Sequence, residues 1–216
     1  GCRSLMGWMG SLAHPVAVRG DVGQDADCRR VVAEVVDRWG RIDALVNNAG
    51  RTRIVPYDDL DGLSAEDFEA IYRTNVVGTY QMTRAAAPHL RAHGLGAVVN
   101  VSSTSGADGE GSSMAYAASK GALNTLTLAL ARALAPQIRV NAVVPGFIAS
   151  RWFADPLGPE GFDALVERVR DSTPLHRAGT PEDIAVSVVF LCDEGAEHVT
   201  GTTLVADAGA SLRPRR

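Results

Sequence analysis

The sequence predicts an α/β fold: a doubly wound parallel sheet between helices on both faces, three layers in all. Short β-branched or aliphatic runs alternate with longer helical segments from Val16 onward. Polar or glycine-bearing groups follow several of these runs, the place where an open α/β sheet gathers a ligand site. The chain's 216 residues suit one sizeable core. A single domain is therefore expected over residues 15–216, with 1–14 unassigned because they show no clear period.

Five strands are expected, at residues 16–19, 44–46, 97–101, 139–144 and 203–206. Between the first two, Val31, Val32, Val35, Val36 and Trp39 recur at helical spacing, and Gly40 follows as a stop. Ser64 with Asp67 three residues on is a capping pair. The helix it opens runs to about Arg91, with a bend expected at Val76-Val77-Gly78. Residues 106–113, rich in Gly and Ser, read as a flexible loop. The longest helical pattern covers 115–135 and is stopped by Pro136. Thr180-Pro181-Glu182-Asp183 begins a helix that ends near Cys192, with a capping hydroxyl and a proline in the first turn.

Composition excludes several classes. A net charge of −4, with 46% hydrophobic and 21% charged residues, leaves no electrostatic footprint for nucleic acid or an anionic membrane. Cys2, Cys28 and Cys192 are scattered, without a CxxC pair or histidines at zinc spacing, so neither a disulfide framework nor a metal site is expected. No stretch approaches the roughly 20 apolar residues of a membrane span, and a cytoplasmic location is the expectation.

The chemistry centres on Tyr116 and Lys120, four positions apart on one helical face and about 6 Å apart along the axis. A lysine cation beside a phenol stabilises the phenolate and lowers its pKa from about 10, making a general acid/base. Alone, such a pair more often describes a half-buried tyrosine beside a solvated lysine. Ser103, just past the run at 97–101, could hold a substrate oxygen or merely cap a loop. No Gly-x-Ser-x-Gly elbow surrounds it, which removes the serine-hydrolase reading. Asn47-Asn48-Ala49-Gly50 and Pro145-Gly146-Phe147-Ile148 follow two further strands, and Asp21 offers a carboxylate after the first.

These groups, with Asn75 in Thr-Asn-Val-Val-Gly, Val101-Ser102-Ser103, Tyr116-Ala-Ala-Ser-Lys120 and Arg139-Val-Asn-Ala-Val-Val-Pro145-Gly146, resemble the short-chain dehydrogenase/reductases over about residues 15–210. Thr173-Pro174-Leu175 through Asp183 resembles the same family, and the whole is most similar to reductases of the 3-oxoacyl carrier-protein type. The resemblance implies a Rossmann-type fold and interconversion of a secondary alcohol and a ketone with NAD or NADP. By the same resemblance, Tyr116 exchanges the hydroxyl proton, Ser103 orients the substrate oxygen and Lys120 binds the nicotinamide ribose and tunes Tyr116. Asn75 holds a relay water. Asp21 and Val22 contact the adenine, Asn48, Ala49 and Gly50 line the cofactor, and Pro145, Gly146 and Ile148 present backbone to the nicotinamide. Ser150 stands where the family has threonine. Residues 149–177, with Trp152, Phe153 and Phe162, are expected to form a lid over a small-molecule substrate. A homo-oligomer, dimer or tetramer, is implied through the helices at 65–91 and 115–135.

One feature of the family is missing from the sequence: the Thr-Gly-x-x-x-Gly-x-Gly turn that seats the pyrophosphate. The resemblance thus implies a fold truncated at its N-terminal side, without its first two strands, and weak cofactor binding. The first and second expected strands should then either pair directly or leave an open edge with exposed apolar surface.

Overall fold

The computed structural model describes residues 16–92 and 94–212, so the unassigned segment 1–14 lies outside the described residues. Strands β1 (Ala44–Asn47), β2 (Gly96–Val101), β3 (Ile138–Pro145) and β4 (Thr203–Ala206) pair in parallel in the order β1-β2-β3-β4. Because all four run the same way, their C-terminal ends share one edge, where the Asn47, Val101 and Pro145 motifs gather.

Side chains alternate between the faces, and each face takes its own core. Val98, Ile138 and Val140 pack with Val32 of α1 (Asp25–Trp39), Ala86, Ala87 and Leu90 further along, and Leu130, Ala131 and Leu134. Val99 and Val143 face the other way, onto Ile184 and Leu191. Helix α1 stops at Gly40, whose φ of 71° is a left-handed cap. The expected bend after α2 (Ala65–Tyr72) is a π-helical turn, Arg73–Gly78, before α3 (Thr79–Ala92). Gly78 is required there, since a Cβ would stand 2.7 Å from the Val22 side chain. The Ser64–Asp67 capping box is formed on α2.

The stretch read as a flexible loop is more ordered than expected: it contains the helical turn α4 (Ser105–Asp108). Gly106 serves packing, because a Cβ there would stand 2.5 Å from the backbone of Lys120 in α5 (Met114–Leu134). Helix α6 (Arg151–Ser172) occupies most of residues 149–177 and breaks at Gly158, with φ 68° and ψ 173°. Helix α7 (Pro181–Cys192) starts on the Thr180–Asp183 capping box and covers the second face.

The expected strand at 16–19 does not form. β-branched alternation supplies propensity, but ladder bonds need a neighbouring strand, and among the described residues none pairs with the outer side of β1. Side chains of α1 bind this segment instead: Arg30 donates to the Arg19 carbonyl at 2.6 Å, and the Asp21 N–H donates to the Asp27 carboxylate at 2.8 Å. Of the two expected outcomes the described residues show the open edge, with Val46 of β1 43% exposed.

Candidate active site

Helix α5 carries the two central groups. Ser113 caps it by accepting the Tyr116 N–H at 3.3 Å, which sets the first turn so that Tyr116 faces the strand ends. Lys120, one turn on, is only 4% exposed. Its Nζ donates to the Val101 carbonyl at 2.8 Å, at the tip of β2, and lies 5.6 Å from the centre of the Tyr116 ring. Burial pushes the Lys120 pKa down to about 8. For Tyr116 the structure corrects the sequence-based expectation: its pKa is raised, because loss of solvent outweighs the lowering contact with the Ser103 hydroxyl. The ammonium lies over the ring at 5.6 Å from its centre, and burial is the larger influence on the phenol.

Ser103 sits at the same edge. Its Oγ accepts from the Ser105 N–H at 3.2 Å and donates to Ser105 Oγ at 3.0 Å, bonds that fix the turn into α4. Asn75 occupies the centre of the π turn, 1% exposed. Its Oδ1 accepts the Arg51 N–H at 2.8 Å, and its Nδ2 donates to the Arg51 carbonyl at 3.0 Å and to Ser119 Oγ at 2.9 Å. The Asn75 carbonyl accepts from Thr79 Oγ1 at 3.0 Å. The Asn75 side chain thus clamps the loop after β1 to α5.

That loop carries Asn48, Ala49 and Gly50, all exposed above the sheet edge. Asn47 before them is buried and donates to Asn100 Oδ1 at 2.9 Å, while Asn100 donates to Thr127 Oγ1 at 2.9 Å. This buried amide ladder ties β1, β2 and α5 together. Ser119, Asn100 and Thr127 received no role from the sequence, although a lone Asn inside the run Ala-Val-Val-Asn-Val was a visible signal. Across the edge, Pro145 is buried and Gly146 is needed, since a Cβ would stand 2.8 Å from Asp207 Cβ. Ile148 forms a parallel bridge with Gly179. Ser150 begins α6, which lays Trp152 against Tyr116 with ring centroids 6.2 Å apart and Phe153 against Phe147 at 4.9 Å.

Two of the expected cofactor residues stand apart from this group. The Val22 carbonyl accepts from Cys28 Sγ at 3.3 Å and Gln81 Nε2 at 3.0 Å, and Asp21 lines a surface notch with Arg19, Gly20, Asp27 and Arg30. The structure therefore brings together Asn75, Ser103, Tyr116 and Lys120, with Gly50 and Trp152 close by.

Residues 6–211 match the family model described as "Enoyl-(Acyl carrier protein) reductase". A solved short-chain dehydrogenase/reductase from Burkholderia xenovorans superposes with a TM-score of 0.81 at 47% identity, over 90% of this chain and 75% of that one. The chain belongs to the short-chain dehydrogenase/reductase family. Within that family it is 45% identical over 202 residues to the ketoacyl reductase 2 assigned to the granaticin polyketide synthase of Streptomyces violaceoruber, covering 94% of this chain and 79% of the relative. L-fucose dehydrogenase of Bos taurus is 37% identical, over 89% of this chain and 70% of its own length. A gluconate 5-dehydrogenase from Burkholderia cenocepacia J2315, solved with NADP and tartrate, has a TM-score of 0.80 at 30% identity and is covered to 74% by 90% of this chain. As a member of this oxidoreductase family the chain has the Rossmann-type α/β fold expected from sequence. Among its described residues no helix is long and apolar enough to cross a membrane.

Proposed function

We propose that this short-chain dehydrogenase/reductase interconverts a secondary alcohol and a ketone by hydride transfer with NAD(H) or NADP(H), using Tyr116 as the general acid/base. The observation that carries the reading is the buried Lys120 ammonium held 5.6 Å from the Tyr116 ring at the open edge of the sheet. Relatives whose names describe ketoacyl reduction and sugar or sugar-acid dehydrogenation support the reaction type.

The residues present fit the nicotinamide-ribose half of the cofactor. Lys120 commits one of its three donors to Val101, and Gly50 leaves the backbone of its loop uncovered by a side chain. Lys120 would hold the ribose, while Asn48, Ala49, Pro145, Gly146 and Ile148 would flank the ring, and Asp21 and Val22 belong to the adenine side. The nicotinamide, when bound, supplies or takes the hydride. Ser103 orients the substrate oxygen toward Tyr116, whose raised pKa keeps its proton in place for delivery to the developing alkoxide. Self-association is part of this reading. Apolar side chains are exposed on the expected helices at Phe68, Val77, Tyr80 and Leu128, and also on α7 at Val186, Val189 and Phe190.

One observation favours a second reading, an inactive or cofactor-free relative of the same fold: no Thr-Gly-x-x-x-Gly-x-Gly turn stands in the sequence. Incubating the purified chain with NADPH or NADH and ketones distinguishes the two. The oxidoreductase reading expects ketone-dependent loss of absorbance at the reduced cofactor's band, cut about 100-fold or more in Tyr116→Phe at unchanged thermal stability. An undiminished rate in Tyr116→Phe would overturn the assignment, and no turnover with a cooperative unfolding transition supports the second reading.

A further inference from the structure

The indole of Trp152 bridges two parts of the site that no other lid side chain joins in the described contacts. On one side its ring lies 6.2 Å from that of Tyr116, tilted by 52°. On the other, its outermost ring carbon stands 3.8 Å from where a Cβ on Gly50 would be, the same distance that separates that point from Asn75 Oδ1. The indole therefore spans from the proposed acid/base to the loop after β1. It is nevertheless 39% exposed, so it is a cover and not a member of the core.

Its mounting allows it to move. Ser150 precedes it in extended conformation, and the first turns of α6 end at Gly158, whose φ of 68° and ψ of 173° interrupt the helix. Phe153 rests on Phe147 at 4.9 Å and gives the segment a hinge-side anchor. At 6.2 Å the Tyr116 and Trp152 rings leave no slot for a third ring between them, so a substrate that stacks on the Tyr116 ring swings the indole outward.

The swing removes a flat apolar surface from Tyr116 and Gly50, and the incoming molecule must replace those contacts. A carbonyl set in a flat ring system does so on both faces, covering Tyr116 and Gly50 below and meeting the displaced indole above. An open chain covers less of either surface and loses more rotamer freedom on being ordered.

We propose that Trp152 is a specificity-determining residue that selects ketones borne on a flat, fused or aromatic ring over open-chain ketones of similar size. This deepens the oxidoreductase reading and rests on it. The test compares wild type, Trp152→Ala and Trp152→Phe on α-tetralone and 2-octanone, with oxidation of NADPH or NADH giving kcat/KM and calorimetry giving binding of each ketone.

The expected result is that the α-tetralone to 2-octanone ratio of kcat/KM falls about tenfold or more in Trp152→Ala and recovers largely in Trp152→Phe, with 2-octanone turnover little changed. An unchanged ratio with turnover retained would overturn the role of Trp152 while leaving the oxidoreductase reading standing. If wild type turns over neither ketone with either cofactor, calorimetry judges Trp152 separately, while the Tyr116→Phe comparison judges the oxidoreductase reading. Binding of α-tetralone that weakens in Trp152→Ala keeps the contact, whereas equal binding, or none to wild type, overturns it.

Discussion

The Lys120 ammonium hangs 5.6 Å over the Tyr116 ring while donating to the Val101 carbonyl, so one buried cation touches both the proposed acid/base and the tip of the central strand β2. Its position makes Lys120 a link between the stability of the fold and the chemistry of the site.

The link has a definite pH dependence. Lys120 has a folded pKa of about 8 against an ordinary value of 10.5, so above pH 8 the native state binds fewer protons than the unfolded one. Its burial thus weakens the fold fully below pH 8, and this cost is relieved as pH rises from 8 toward 10.5. Lys120→Met is expected to melt higher than wild type at pH 7, with the difference shrinking between pH 8 and 10. Thermal melts across that range check it, and a pH-independent difference would contradict the stated cause.

Asn75 holds Arg51 from both sides and Ser119 besides, all from a buried position. Asn75→Leu removes the acceptor of the Arg51 N–H and the donor to the Arg51 carbonyl, a loss on the order of 1 kcal/mol per bond. Hydrogen exchange should speed up at residues 47–51 before it does in β3. Uniform acceleration across the sheet would mean that Asn75 supports the whole core and not this loop.

At Gly106 a methyl group would stand 2.5 Å from the Lys120 backbone. Gly106→Ala should therefore push α4 away from α5 and destabilise the protein by about 1–3 kcal/mol, measured by denaturant unfolding. Because Ser103 sits on the turn into α4, the substitution should also lower kcat/KM in the ketone assay beyond what the lost stability explains. A variant as stable as wild type would show that the two helices separate freely.

Much of this was readable in advance because it is local. The Ser64–Asp67 and Thr180–Asp183 boxes, the stop at Gly40 and the four-residue spacing of Tyr116 and Lys120 depend on neighbours in the chain, and each formed as expected. The strand expected at 16–19 failed for the opposite reason, since its hydrogen bonds had to come from a partner that sequence pattern does not supply. Residues 106–113 misled because glycine signals looseness and close packing alike, and only the backbone of Lys120 decides between them.

The sequence by itself determined the family, the parallel α/β pattern and the identity of the groups at the sheet edge, all of which are encoded in residue type and spacing. Tertiary structure decided how those groups behave. It showed burial raising the Tyr116 pKa, Asn75 clamping a loop and Trp152 lying across the site, because dielectric surroundings and long-range contacts exist only once distant segments pack.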